Sequence, residues 1–123
     1  MEYTFGIDPV PASRPRVTRW GAYYVGPYKD FKTKVMELCN SMTLVPLVGE
    51  LSVDIEIFKK KPKSSKLTLP RGDVDNFAKA VLDSMNGILW EDDSQIKSLY
   101  VTKDWAPLDS NGYFVVSLGQ ING

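Results

Sequence analysis

The chain has 123 residues, 43% hydrophobic and 24% charged, which suits a single globular domain over residues 1–123 with one hydrophobic core. It has no histidine and a single cysteine, Cys39, which excludes an internal disulfide, zinc sites and Ser-His or Cys-His catalysis. With 15 basic and 15 acidic residues, no apolar run of membrane-spanning length and no N-terminal signal pattern, the chain is predicted to be cytoplasmic, without a membrane partner.

The first half of the chain predicts two strands, a helix and a third strand. Apolar residues alternate with polar ones over residues 3–7, which indicates a strand that ends before Pro9. The stretch GAYYVG is typical of a short second strand. Apolar residues then recur at helical spacing over residues 29–42, and strict alternation over residues 51–57 is the clearest strand pattern of the chain.

The second half begins with a loop rich in lysine, serine and proline and continues into a second helix. Apolar residues at helical spacing predict this helix over residues 74–86, and Gly87 suits the left-handed position just past its end. Residues 96–105 and 113–118 predict two further strands. The order of elements favours an α+β fold in which two main helices pack on a mixed or largely antiparallel sheet.

Charge is distributed unevenly along the chain despite the net charge of zero. Two basic stretches, over residues 11–34 and 59–71, precede an acidic stretch over residues 72–109. A polyanion could bind the basic stretches while a divalent cation occupies the acidic one. A lysine-rich loop that only contacts solvent is the alternative interpretation of residues 59–66.

The acidic stretch has a regular spacing. Asp75, Lys79 and Asp83 are four residues apart, which places them on one helix face opposite the apolar one. Asp73 can direct a second carboxylate to the same place, and a chain reversal after the helix would be needed to bring Asp93 back. Converging carboxylates form a hard-oxygen site that suits Mg²⁺ or Mn²⁺, which can activate water against a phosphodiester.

Each of these residues also has a simpler interpretation. Asp73 could be only a helix N-cap, and Lys79 could be only the partner of Asp75 and Asp83 in surface ion pairs. The stretch EDDS, which contains Asp93, could be a solvated turn.

The segment DVDNFAKAVLDSMNGILWEDDSQI resembles the signature of the RusA family of Holliday-junction resolvases. The shared pattern is D-x-D-N-x-x-K-x-x-x-D, then six residues of helix and turn, then W-x-D-D-x-Q. The N-terminal PASRPRVTR and YYVGPYKDFK resemble the opening of many phage and prophage members. The chain departs from the family pattern in having Gly72 between Arg71 and the first aspartate, and lysine in place of most arginines.

This resemblance implies a homodimeric, magnesium-dependent endonuclease of DNA recombination and repair that nicks four-way junctions symmetrically, with Mn²⁺ as a substitute cofactor. By position it assigns Asp73, Asp75 and Asp93 as metal ligands, Asp92 as an additional candidate, Lys79 as the catalytic lysine and Asn76 as a supporting residue. It also implies a set of DNA contacts, namely Arg14, Arg16, Lys59, Lys60, Lys61, Lys63, Lys66 and Arg71.

Three other functions remain open on the sequence alone. The first is an endonuclease of broader selectivity for branched, flapped or replication-fork DNA. The second is a module that binds junctions without cutting them, although acids beside phosphates would not favour mere binding. The third is a folded interaction protein whose acids are solvated, which predicts no dependence on divalent ions.

Overall fold

The computed structural model describes residues 1–23 and 26–121, with only the backbone described for Arg16 and Tyr23. A four-stranded sheet and two helices form its framework, and a separate two-stranded hairpin precedes the first helix. The elements are β1 (Glu2–Phe5), β2 (Arg16–Thr18), β3 (Gly21–Tyr23), α1 (Pro27–Asn40), β4 (Leu51–Lys59), α2 (Val74–Met85), β5 (Ile96–Trp105) and β6 (Tyr113–Gln120).

The sheet has the strand order β1-β6-β4-β5. β4 and β5 are parallel, while β6 is antiparallel to both β1 and β4. On β4 the alternating residues Leu51, Val53 and Ile55 are fully buried, as their spacing predicts for one face of a sheet. The sheet is therefore mixed, and the predicted α+β class with two helices is confirmed.

Helix α2 is the crossover that joins the parallel strands β4 and β5. Phe77, Val81 and Met85 on its apolar face are buried in the core, as predicted. After the helix the chain turns at Gly87, whose φ is 81°, and passes through a 3-10 turn over Asp93–Gln95. Because parallel strands need a crossover that returns over the sheet, β5 runs back alongside α2, as the site hypothesis requires.

Helix α1 lies beside α2 and starts two residues earlier than predicted. Pro27 occupies its first turn, where a missing backbone N–H costs nothing. Tyr28, Phe31 and Val35 face the core, and so does Cys39. Burial raises the pKa of the Cys39 thiol, which agrees with its interpretation as a core residue.

The hairpin differs from its sequence prediction. One strand was expected in GAYYVG, but the structure pairs β3 with a further strand, β2, in a segment expected to be loop. The turn that joins them is stabilised by Thr18, whose hydroxyl donates to Gly21 O at 3.2 Å and accepts from Trp20 N at 3.1 Å. The rest of the predicted strand, residues 24 and 25, lies outside the described residues.

A helix that crosses a membrane must be long and apolar. Within residues 1–23 and 26–121, no helix has the length and apolar character that crossing a bilayer requires.

Candidate active site

A cleft of about 450 Å³ lies between the outer face of α2 and strand β5. We call it the acidic cleft, because four of the residues that line it are charged, three of them acids: Asp75, Lys79, Asp83 and Asp93. Apolar side chains of both elements form the rest of its wall, namely Val74, Ala78, Leu82, Leu99 and Val101. Three of the four predicted catalytic residues, Asp75, Lys79 and Asp93, thus line one cleft, and the fourth, Asp73, does not.

Helix α2 positions Asp75 and Lys79 because the apolar face fixes its rotation. Both side chains are exposed, while Phe77 and Ala78 between them are buried. In the part of the chain that is described, Lys79 makes no ion pair with Asp75 or Asp83. The interpretation of Lys79 as a mere surface ion-pair partner is therefore not supported, and Lys79 is one of the residues that line the cleft.

Asp73 occupies the N-cap position of α2. Its backbone is extended, with φ −77° and ψ 142°, and its carbonyl accepts from Asn76 N at 3.0 Å. Its carboxylate makes no capping hydrogen bond, so the capping interpretation does not account for the side chain. Asp73 does not line the acidic cleft itself but is exposed at its end, next to Asp75.

Asn76 is tied to Asp75 and to the N-terminal segment. Its backbone N–H donates to Asp75 Oδ1 at 3.0 Å, and its carbonyl accepts from Ala12 N at 2.9 Å. The backbone of Asn76 therefore joins the start of α2 to the chain that leads toward Arg14.

Asp93 reaches the cleft from the turn after α2. The indole of Trp90 donates to Asp93 Oδ1 at 2.6 Å, and Asp93 N donates to the side-chain oxygen of Asn86 at 3.0 Å. Trp90 is fully buried, so the direction of this carboxylate is set by the core. The roles of Trp90 and Asn86 were missed in the sequence, although Trp90 belongs to the W-x-D-D-x-Q pattern.

Asp92 has a different task from Asp93. Its side chain accepts from Ser94 N at 3.0 Å, and its backbone N–H donates to Gln95 Oε1 at 2.8 Å, which forms a capping box. The bonds from Ser94 lower the pKa of the Asp92 carboxyl. Gln95 in turn donates to the carbonyls of Leu47 and Gly49. Asp92 therefore shapes the turn and does not line the cleft.

The charge of Asp83 affects the pKa of the Asp93 carboxyl. Burial raises the pKa of the Asp93 carboxyl; the hydrogen bond from Trp90 opposes this, and the charges of Asp83 and Asp92 add to it. The hydroxyl of Tyr28, which is buried in α1, donates to Asp83 Oδ2 at 2.9 Å. Sequence spacing placed Asp83 on the same helix face as Asp75 and Lys79, but it gave no sign of the hydrogen bond from Tyr28.

The carboxylate oxygens of the cleft are the kind of ligand that a hard divalent cation prefers. Within residues 1–23 and 26–121, no three acidic or cysteine side chains come close enough together to surround one ion. Asp75 and Asp83 are two helical turns apart, about 12 Å along the axis, and Lys79 lies between them. Carboxylates are thus distributed along the cleft rather than gathered at one point.

A basic loop over residues 60–71 leads from β4 to the start of α2. The Nζ of Lys103 donates to the carbonyls of Pro70 and Gly72 at 3.0 and 2.6 Å, and the indole of Trp105 donates to Leu67 O at 3.0 Å. Five predicted DNA contacts are exposed on it: Lys60, Lys61, Lys63, Lys66 and Arg71.

The remaining predicted DNA contacts differ from those on the loop. Lys59, at the end of β4, forms an ion pair with Asp8 at 2.8 Å and donates to Pro9 O at 2.7 Å. It therefore has a structural partner. Arg14 is exposed, and the side chain of Arg16 lies outside the described part of the structure.

Known proteins that the chain resembles include a nuclease family and a bacterial relative. The sequence model of the family described as "Endodeoxyribonuclease RusA" matches residues 6–109, which include the basic loop and every residue of the acidic cleft. A protein of Bacillus subtilis (strain 168), named "Uncharacterized protein YqaN", is 28% identical over 122 residues, covering 84% of this chain and 86% of the relative.

Proposed function

The chain belongs to the RusA endodeoxyribonuclease family, and on that premise we propose that it resolves four-way DNA junctions by paired, symmetric, metal-dependent nicks. We place this activity in DNA recombination and repair, in the cytoplasm of a bacterial host and with a phage or prophage origin. The acidic cleft is the proposed site of cutting.

One observation carries this proposal. Asp75 and Lys79 on α2, and Asp93 on the following turn, line a single cleft, with hydrophobic side chains around them. These carboxylates contribute little to stability, because like charges repel one another. Lys79 has no ion-pair partner among them, so it does not offset this repulsion by pairing. Carboxylates and a lysine that line one cleft are the groups that metal-dependent hydrolysis of a phosphodiester uses.

Each residue has a proposed part in the reaction. Asp73, Asp75 and Asp93 would hold Mg²⁺, or Mn²⁺ in its place, with Asp92 as an additional candidate. When bound, the metal supplies an activated water and compensates charge on the phosphate. The Lys79 ammonium would stabilise the negative charge that develops on the phosphate oxygens. Trp90 fixes the carboxylate of Asp93, and Asn76 supports the start of α2.

DNA would be bound by exposed lysine and arginine side chains, which lie on the basic loop and on the segment before the hairpin. A four-way junction has a two-fold axis, so a homodimer would present two related clefts to two scissile phosphates. We therefore propose a homodimer as the active form. Lys59 would act indirectly, because its amine already binds Asp8.

The test is cleavage of a labelled synthetic four-way junction in Mg²⁺ and in chelator. Wild type is compared with Asp75→Asn and with the matched control Asp54→Asn, which changes an exposed carboxylate on β4 outside the cleft. Paired nicks near the crossover are expected for wild type and control, with a loss of at least about a hundredfold for Asp75→Asn and in chelator. The molar mass in solution, measured by light scattering, is expected to be that of a dimer.

The other outcomes separate the alternatives. Equal cutting of flaps, forks and junctions would replace the resolvase by a broader branched-DNA endonuclease. Tight junction binding without cutting, in Mg²⁺ and in Mn²⁺, would favour a binding module. Neither binding nor any effect of divalent ions would leave an interaction protein with solvated acids.

A further inference from the structure

The basic loop forms a cavity of about 620 Å³ that the proposed chemistry does not use. We call it the loop cavity; among the residues that line it are Lys60, Ser64, Ser65, Lys66, Arg71 and Trp105. Its volume lies within the range of small-molecule sites. It is distinct from the acidic cleft, with which it shares no lining residue.

The indole of Trp105 forms an aromatic wall of this cavity. The ring lies at the end of β5, and its N–H is fixed by the hydrogen bond to Leu67 O. A second cavity also borders Trp105 and includes Lys61, whose amine lies 5.9 Å from the centre of the ring. Lys61 does not line the loop cavity, so there the indole is presented without that cation.

The charge of the loop cavity has one sign. Lys60, Lys66 and Arg71 line it, together with Lys59, whose amine is paired with Asp8, and among the described residues no acidic side chain lines it. The two serine hydroxyls add groups that can donate to an anion. A ligand with a negative charge and a flat apolar face fits both features, and a nucleotide has both.

Duplex DNA would not use this combination. Its bases are paired and stacked, so only its phosphates would reach a basic cavity, and an aromatic wall would contribute nothing to binding. An unpaired base has free faces that can stack on an indole. The presence of Trp105 within a cationic cavity therefore favours single-stranded over double-stranded DNA.

The loop cavity is also tied to the catalytic helix. Arg71 lines it and is two residues before Asp73, and Lys103 holds the carbonyls of Pro70 and Gly72 on either side of Arg71. A nucleotide bound there lies on the segment that leads directly into the acidic cleft.

We propose that the loop cavity binds one unpaired nucleotide of branched DNA, with its base stacked on Trp105 and its phosphate held by Lys66 and Arg71. This inference rests on the proposed function, since it names the part of the DNA that the enzyme holds beside the cut. The enzyme then opens a base pair next to the branch, and the fit of the extruded base sets the sequence preference of cleavage.

Binding of labelled oligothymidylate, compared with a duplex of equal length, tests the proposal in chelator, so that no result depends on cutting. The variants are Trp105→Leu, which removes the stacking surface, and Trp105→Phe, which keeps a ring but loses the bond to Leu67. Trp20→Leu is the matched control, because Trp20 is 84% exposed and lies on the hairpin.

Trp105→Leu is expected to bind oligothymidylate roughly ten- to a hundredfold more weakly than wild type, with duplex binding little changed. Trp105→Phe and Trp20→Leu should remain near wild type. Equal loss of both ligands in Trp105→Leu, or equal loss in the Phe and Leu variants, would overturn the proposal, because either result would mean that Trp105 only anchors the loop. Wild-type binding by Trp105→Leu would overturn it directly.

A second measurement places 2-aminopurine at successive positions around the branch of a synthetic junction. Its fluorescence is expected to change on binding of wild type at one position per cut strand, and not on binding of Trp105→Leu. A junction in which no position responds would refute the opening of the DNA. Cleavage can fail while this signal persists, so the two proposals fail separately.

Discussion

Replacing Gly72 by alanine should destabilise the protein strongly, because a backbone cost and a steric cost meet at this position. Gly72 has a φ of 101° and stands between Arg71 of the basic loop and Asp73. A Cβ at this position would lie 2.9 Å from Cε2 of Phe77 and 3.3 Å from Cγ of Pro11. Phe77 is fully buried, so its ring has little room to move away.

The magnitude follows from adding the two costs. A non-glycine residue at such a positive φ costs about 1–3 kcal/mol, and forcing an extra methyl group against a packed ring costs about 1–3 kcal/mol more. The expected loss in the free energy of unfolding is therefore about 2–6 kcal/mol. Small domains have a total of about 5–15 kcal/mol, so the loss would be a large part of it.

Two other glycines separate these costs. Gly87 has a φ of 81°, but a Cβ added there would meet no atom of the described residues within 4 Å, so Gly87→Ala should show only the conformational cost of about 1–3 kcal/mol. Gly6 has open space and no positive φ, so Gly6→Ala should change stability by less than about 0.5 kcal/mol.

The measurement is urea-induced unfolding of the three variants and wild type, followed by circular dichroism. The expected order of destabilisation is Gly72→Ala, then Gly87→Ala, then Gly6→Ala. Equal losses at Gly72 and Gly87 would refute the argument from the contact with Phe77. A wild-type value for Gly72→Ala would also refute the argument from φ.

Two further predictions concern the acidic cleft. Tyr28→Phe should lower the free energy of unfolding by about 1–2 kcal/mol, because it removes a hydrogen bond to the half-buried carboxylate of Asp83. The same change should slow junction cleavage. Tyr100→Phe, at an exposed position, is the control, and equal cleavage rates for the two variants would contradict the prediction. Asp93→Asn should raise stability at neutral pH in chelator while abolishing cleavage. Since the pKa of Asp93 is raised in the folded state, its ionisation costs stability as pH rises from the ordinary aspartate pKa through the folded value. The gain in the free energy of unfolding, measured with urea, should therefore vanish at pH values below the ordinary aspartate pKa. A gain that is the same at all pH values would show that charge is not its cause.

Local spacing predicted those parts of the fold and cleft that depend on one element at a time. The apolar face of α2 determines which way Asp75 and Lys79 point, and the alternation in β4 determines which face is buried. The strand Ile96–Trp105 was predicted with the bounds that the structure has.

Contacts between distant segments could not be predicted in this way. The bond from Tyr28 to Asp83 joins residues 55 positions apart, and nothing near either residue indicates the other. The placement of Asp93 in the cleft depends on the parallel pairing of β4 and β5, which alternation patterns do not distinguish from antiparallel pairing. The second strand of the hairpin was missed because its turn is stabilised by the Thr18 hydroxyl rather than by a two-residue glycine turn.

The position of β6 between β1 and β4 determines when the protein can fold during synthesis. Of the six strands in residues 1–23 and 26–121, β1 is made first, but its partner in the sheet, β6, is made last, and Glu2 pairs with Ser117. The unit β4-α2-β5, which carries the acids, is made earlier and has contacts between nearer segments. A nascent chain therefore holds β1 without its partner until β6 has been made, and the complete sheet that supports the cleft forms only then.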